Sequence, residues 1–541
     1  MSGSITTPIG KAIRSPRAVR PPLGLATAAL AVCGVLALPV VYLVARSAQA
    51  DAAAWDLILR SRTVLLAARS LGLAAAVTAG AVAIGLPLAW LTVRTDLPLR
   101  RFWSVLAPLP LVVPSYVGAF IVLSALGPDG LALRLLGPLG VERLPTITGF
   151  SGAWLTLTLF TYPYVYLLAA AALRGQDAAL EETAWSLGRS RWSTFRNVTL
   201  PLLRPAIAAG GLLVALYALH DFGAVSLLRF QTFTQAIYLQ YRAAFDRSPA
   251  AILSLMLLAV ALVVLALERR ARGRARLHRL GPGARRRLTV VPLGRWRWPG
   301  VAFCALVALL AVGMPLAVLA YWLMRTSTLD IDLGALAGMA GGSLMTASLG
   351  ATVVLILALP VAVLGARFPG RLTTATERLA FSGYALPGIV VALAFVFAGA
   401  GLPLVYQTLP LLLLAYAVLF LPQASEPIRS ALLQVPPRLE EAGRILGRTR
   451  TAVFRRVVLP QAARGLAAGF ALVFLTVMKE LPATLLLRPT GFETLATGVW
   501  TESSVGRFGD ASIPALLLVT LSALPLYLVA RRFETQEVRA E

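Results

Sequence analysis

Two cysteines, two histidines and two lysines are all that 541 residues contain of those types, and each shortage closes off some chemistry. Cys33 and Cys304 are too few for a disulfide framework, and the plain expectation is a pair of buried thiols acting as small apolar residues. With only His220 and His278 as imidazoles, no dedicated metal site of His and Cys ligands is available. No G-x-x-x-x-G-K-S/T phosphate loop occurs, so nucleotide energy would have to come from another chain, and no cofactor is expected on this one. Charge is scarce as well. It reaches 14% of residues, where soluble domains carry about a quarter, and the mean hydropathy is +0.77.

What is abundant is apolar sequence, 58% of the chain. A hydrocarbon core of ~30 Å needs runs of about 20 apolar residues. Twelve windows qualify: 23–46, 66–92, 103–126, 149–173, 205–228 and 249–268, then 299–323, 342–366, 379–400, 407–425, 464–487 and 511–531. The window 407–425 is the least clean, being interrupted by Pro422 and Gln423. The expectation is an all-α polytopic membrane protein packed in lipid, its backbone groups satisfied inside helices. No small-residue cleavage site follows the first run, so it is expected to stay as a span.

The net charge of +26 raises the possibility of nucleic acid, but the placement of the basic residues argues against it. Lys11, Arg14, Arg17 and Arg20 precede the first run, Arg94, Arg100 and Arg101 follow the second, and eleven arginines lie between Arg269 and Arg297. The intervening loops hold Asp51, Asp56, Asp330 and Asp332. Basic residues in alternate loops are the positive-inside pattern, which puts both termini in the cytoplasm.

A 22-residue segment occurs twice. Leu180 to Pro201 reads LEETAWSLGRSRWSTFRNVTLP, and Leu439 to Pro460 reads LEEAGRILGRTRTAVFRRVVLP, with 12 identities at an offset of 259. At the same offset Pro163 matches Pro422, Asp221 matches Glu480 and Phe233 matches Phe492. Pro87 pairs with Pro360 and Pro114 with Pro387 at an offset of 273, so an outer loop, Gly127 to Thr148, is longer in the first half. Each half therefore has six runs, and an even number makes the halves parallel repeats about an axis along the membrane normal. The expected organisation is a tail 1–22, a first repeat 23–268, a basic cytoplasmic linker 269–298, a second repeat 299–531 and a tail 532–541. Gly281-Pro282-Gly283 marks the linker's centre, and Trp296 and Trp298 suit an interfacial aromatic belt. Binding of a regulator or anionic lipid by the linker is the minor alternative.

Inside each repeated segment Leu180, Ala184 and Leu187, and Leu439, Gly443 and Leu446, form a stripe of helical spacing. Glu181 and Glu182, like Glu440 and Glu441, sit near a helix start, where negative charge suits the dipole. Gly188 and Gly447 can end that helix in the left-handed conformation, and Pro201 and Pro460 suit the first turn of the next span. The result is a helix–Gly–helix elbow whose apolar ridge and carboxylates imply a protein partner.

The spacing Glu182-Thr183-Ala184-x-x-x-Gly188, then Val198-x-Leu200-Pro201, resembles the "EAA" loop of ATP-binding-cassette importer permeases. Glu441-Ala442-Gly443-x-x-x-Gly447, then Val457-x-Leu459-Pro460, is a second copy; the pattern departs at Thr183 and at Gly443, both small residues. Over nearly the whole chain, His220-Asp221-Phe222-Gly223-Ala224-Val225 and Lys479-Glu480-Leu481-Pro482-Ala483-Thr484 resemble the fused ferric-iron and thiamine permeases, the second stretch the ferric branch. The resemblance implies a type I importer permease of about 12 transmembrane helices. Substrate would arrive on a periplasmic binding protein, and two ATPase subunits would dock on the two loops.

His220, Asp221, Lys479 and Glu480 fall inside apolar windows at matching places, one pair per half. Charges there are costly and often functional, so they are candidates for the pathway or gate between the halves. They could also be structural polar contacts between helices. Pro163, Pro422 and Pro482 are expected to kink their helices. Iron, thiamine and aminophosphonate all remain possible substrates, and a self-powered channel or secondary transporter is the remote alternative, disfavoured by the doubled loop.

Overall fold

A computed structural model describes residues 21–56, 60–127, 130–143, 145–243, 248–271, 290–325 and 332–537. His278 and the Gly281-Pro282-Gly283 centre of the linker lie outside them. Among the described residues there is no β-strand, and ten helices are long and apolar enough to cross a membrane. Two shorter apolar helices, Gly388–Ala400 and Phe508–Ala523, accompany them.

In the first half α1 is Leu23–Ala48, α2 Ser61–Arg94, α3 Ser115–Leu126, α4 Phe150–Gly175 and α5 Ala178–Ser186. Then come α6 (Arg191–His220), α7 (Gly223–Leu227), α8 (Phe233–Ala243) and α9 (Ser248–Ala271). The second half repeats the order: α10 (Gly294–Arg325), α11 (Leu333–Arg367), α12 (Gly388–Ala400), α13 (Leu409–Gln434) and α14 (Pro437–Ile445). It closes with α15 (Arg450–Met478), α16 (Pro482–Leu487), α17 (Leu495–Ser504) and α18 (Phe508–Glu537).

The twelve windows are corrected at four places. Windows 103–126 and 379–400 begin with other short helices, and α3 and α12 start only after Pro114 and Pro387. Proline has no N–H to donate and holds the chain extended before the helix, so these matched prolines set helix starts. At 1.5 Å per residue the 12 residues of α3 reach only about 18 Å. Both α3 and α12 are apolar all round and buried all round, as such helices must be. Windows 205–228 and 464–487 also fail to run through: the long helices end at His220 and Met478, and short helices follow. By contrast the doubtful window 407–425 is part of a 26-residue helix, α13. Its Gln423 is held by the Thr476 hydroxyl at 2.8 Å, so the polar interruption is satisfied within the bundle.

Helices α2, α4 and α6 pack together as the core of one half, and α11, α13 and α15 form the matching core of the other. Small residues permit the closest approaches. A Cβ on Gly85 of α2 would lie 2.9 Å from the Tyr162 carbonyl oxygen of α4, and one on Gly210 of α6 would lie 2.8 Å from Val165 Cα. The first helix of each half crosses over. Helix α1 lies along α9 but also against α11 and α12, while α10 lies along α18 and against α3.

The linker's C-terminal end is docked on the bundle. Val291 pairs with Thr95 in an isolated parallel bridge. The Asp96 carboxylate accepts the Leu293 N–H at 2.8 Å and the Arg297 guanidinium at 2.9 Å. Those two interactions, the backbone one first, hold the Asp96 pKa below its ordinary value. The sign follows: the latch is fully made at neutral pH and lets go only as pH falls below the usual aspartate range. Trp296 and Trp298 stand exposed on the bundle surface.

Gly85→Val should wedge α2 from α4 and destabilise by about 1–3 kcal/mol. Gly72→Val, on the same helix with nothing within 4 Å of its Cβ, should be near neutral. Thermal unfolding of the two purified variants beside the parent checks this; equal melting points would mean the close approach is not there.

Candidate functional site

The repeated segments fold alike. Helix α5 ends in a Gly188 at φ 78°, and α14 in a Gly447 at φ 78°. In each, the glycine N–H returns to the third residue back and the next N–H to the fifth: Gly188 to Trp185 and Arg189 to Ala184, Gly447 to Arg444 and Arg448 to Gly443. That is the Schellman closure, and it needs a left-handed residue at the glycine. The following turn is capped by Ser190, which accepts the Ser193 N–H at 3.2 Å, and by Thr449, which accepts Ala452 N–H at 3.3 Å.

The next expectation is corrected. Pro201 and Pro460 do not open a new helix after a second short one. Helices α6 and α15 run unbroken through them, and a π-turn, Phe195–Thr199 or Phe454–Val458, comes immediately before Leu200 or Leu459. A proline ring pushes away the carbonyl four residues back, and the wider turn absorbs that displacement.

The surface the elbows present is narrower than the stripe drawn from sequence. Leu187 and Trp192 are 76% and 70% exposed on one elbow, Ile445 and Leu446 84% and 81% on the other. Leu180 and Leu439 are partly exposed and Glu182, Ala442 and Glu441 reach the surface to differing degrees, but Ala184 is buried. Its counterpart Gly443 has no room for a methyl, since a Cβ would come 2.8 Å from Val453, which replaces Thr194. The exchanges of Ala184 for Gly443 and of Thr194 for Val453 compensate each other.

Glu181 and Glu440 act as struts within the elbows. Glu181 is 6% exposed, ion-paired with Arg94 at the end of α2, and accepts the Thr199 hydroxyl at 2.7 Å. Glu440 pairs with Arg367 at the end of α11 at 2.7 Å, and Arg367 also donates to the Val435 carbonyl at 3.0 Å. Each elbow is thereby tied to the second long helix of its own half. Sequence reasoning gave neither arginine this role, although Arg94 and Arg367 stand at the 273 offset of the proline pairs.

At the other candidate cluster, Asp221 and Glu480 lie at helix breaks, not within continuous helices. Asp221 Oδ1 accepts the N–H groups of Ala224 at 2.9 Å and Val225 at 3.2 Å, capping α7. Glu480 caps α16 through Ala483 N–H at 2.8 Å, Thr484 N–H at 2.9 Å and the Thr484 hydroxyl at 2.7 Å. Pro482 begins α16 and kinks no helix. His220 and Lys479 precede the caps and do not pair with the neighbouring acids. Lys479 Nζ donates across to the other half, to the Leu111 carbonyl at 2.8 Å, and Phe222 meets Trp500 of the other half at 5.0 Å between ring centres. Among the described residues no group of three or more His, Cys, Asp or Glu is placed to hold a metal.

Two long-helix cores, two elbows at one end and two broken helices meeting between the halves invite comparison with known transporters. The family of binding-protein-dependent transport system inner membrane components matches residues 81–276 and 355–536, one match per repeat. The chain belongs to that family.

Among relatives, the Fe(3+)-transport system permease protein FbpB 2 of Haemophilus influenzae is 34% identical over 517 residues, 95% of this chain and 99% of that protein. The molybdenum transport system permease protein ModB of Escherichia coli is 32% identical over 188 residues, 81% of that protein but 34% of this permease. A probable molybdenum permease of Haloferax volcanii is 35% identical over 187 residues, 66% of its length. One repeat of this fused permease thus spans most of the Escherichia coli relative.

Removing one partner of a buried ion pair strands the other. Arg94 is 2% exposed at its side chain and already has two guanidinium nitrogens without a hydrogen-bond partner, so Glu181→Ala should cost about 3–5 kcal/mol. Glu440→Ala should cost about 1 kcal/mol or less, because that pair is partly solvated and Arg367 keeps Val435. Melting temperatures of the two purified variants give the ranking, and an equal loss would dismiss the distinction between the struts.

Proposed function

We propose that this permease carries ferric iron inward across the inner membrane, receiving it from a periplasmic binding protein and using the work of two ATPase subunits, one docked on each elbow. The observation that carries the substrate is similarity over essentially the full length of an Fe(3+)-transport permease. The permease has no phosphate loop of its own in sequence, which fits energy supplied by partners. For docking, the support is the exposed apolar ridge beside Gly188 and its twin beside Gly447, both poised at one end of the bundle. Arginine placement supports a cytoplasmic location for that end and for both termini.

The route runs between the halves at the helix breaks. Asp221 and Glu480 serve that gate by holding α7 and α16 in place, and Lys479 bridges to the opposite half.

In cells expressing the full system, labelled iron should accumulate and labelled thiamine should not; thiamine uptake without iron refutes the substrate. Reporter fusions after Leu280 and Glu541 should both read cytoplasmic. Gly188→Arg with Gly447→Arg should remove the left-handed caps and release the ATPase subunits during purification, and normal transport by that double variant would refute the docking surface. Asp221→Asn should keep its cap and near-normal stability, while Asp221→Ala should lose about 1 kcal/mol and slow uptake.

A further inference from the structure

Helix α10 starts beside the first elbow's strut, where Asp96 holds Leu293 and Arg297. Its 32 residues reach about 48 Å, so Arg325 stands at the end of the bundle away from the elbows. A guanidinium from the other half meets it there. Arg134, on the short helix Leu131–Leu136 between α3 and α4, donates to the Tyr321 hydroxyl at 2.6 Å, and Arg325 donates to the same hydroxyl at 2.6 Å. Both arginines are exposed, and among the described residues neither is paired with a carboxylate. Because they share one oxygen, the two donor nitrogens lie within roughly 5 Å of each other, and like charges that close repel. Arginines gathered at this end also run against the alternation that concentrates them at the other.

A neutral phenol explains this convergence only in part. Its oxygen has two lone pairs, and with both taken by guanidinium N–H groups its own O–H is left to donate outward. Three donors, two of them cationic, thus gather about one exposed oxygen, which suits a phosphate. The surroundings say which phosphate. Leu316, Ala320, Leu323 and Met324 are exposed along α10 leading up to the site, a strip for acyl chains on a helix long enough to cross the bilayer. Tyr321 packs edge-on to Trp322 at 5.4 Å, and such aromatic residues settle at headgroup level. We propose that Arg134, Tyr321 and Arg325 hold the phosphate of an anionic phospholipid, with its chains along this face of α10. Arg134 belongs to the first repeat and the other two to the second, so the lipid clamps the halves together. It does so beside a direct contact between them, the Trp322 indole N–H donating to the Ser124 hydroxyl of α3. This site is independent of what the permease carries.

The experiment takes the full-length permease, purified in detergent and stripped of lipid. Phosphatidylglycerol, phosphatidylcholine or inorganic phosphate is added back, with binding read by native mass spectrometry and stability by thermal unfolding. Phosphatidylglycerol should bind and raise the melting temperature more than phosphatidylcholine does, and inorganic phosphate should leave it unchanged. Arg134→Gln with Arg325→Gln should weaken phosphatidylglycerol binding roughly tenfold to a hundredfold, the value of hydrogen bonds to a charged group. Tyr321→Phe, which keeps both arginines, should weaken it by a smaller factor. Without lipid the double variant should melt no lower than the stripped parent, because it has lost only a repulsion. Equal phosphatidylglycerol binding by the parent and the double variant overturns the proposal. So does a stripped double variant that melts below the stripped parent, since the arginines would then serve the fold and not a ligand. An equal effect of inorganic phosphate assigns the site to a free anion instead of a lipid. Unchanged lipid binding with lost stimulation of ATP hydrolysis by the binding protein, in the assembled complex, makes the surface a protein contact and overturns the proposal as well.

Discussion

Every backbone group in the middle of a lipid-embedded bundle needs a partner, and this protein breaks two of its long helices there. The break after His220 and the break after Met478 expose N–H groups at the start of α7 and α16 that water cannot reach. One carboxylate per half satisfies them. With Asp221 and Glu480 in place, the short helices can turn, the following loops can return through α8 and α17, and polar side chains can stand between the halves. Without them the segment would have to stay helical to the far side, and the constriction would be closed by apolar packing alone.

The two halves solve the same problem with different volumes. In the first, the shorter acid Asp221 sits with Ser115 beside it; in the second, the longer Glu480 sits by Gly388, where a Cβ would come 3.1 Å from its Oε1. The elbows show the same trade, Ala184 with Thr194 against Gly443 with Val453. Such exchanges keep backbone geometry alike while side chains diverge. They leave the halves unequal in chemistry: a buried strut at Arg94 and a partly solvated one at Arg367, an aromatic Trp192 ridge and an aliphatic Ile445 ridge.

Much of this was legible in the chain. Apolar length gave the membrane class, constant offsets gave the repeat, and Gly188 and Gly447 gave the left-handed helix ends found at φ 78°. What sequence could not supply was direction. Glu181 and Glu182 are adjacent letters, yet a helix turns them about 100° apart, and only one meets Arg94. Window averages likewise cannot see a break that costs two or three residues, so His220–Asp221 and Lys479–Glu480 read as charges within spans when they are the ends of them. Pro422 looked like an interruption and lies inside a continuous α13 because neighbouring helices cover it. The crossing of α1 and α10 to the opposite halves had no local signal at all.

That crossing has a consequence for how the chain is made. Helix α1 leaves the ribosome well before α11 and α12, on which part of its packing surface lies and which are synthesised some three hundred residues later. In water an apolar helix left waiting so long would invite aggregation. In a bilayer it waits at little expense, since lipid tails cover it as well as a partner helix would. The same topology makes assembly self-checking. Helix α1 reaches α11 and α12 only once the second repeat has begun to insert.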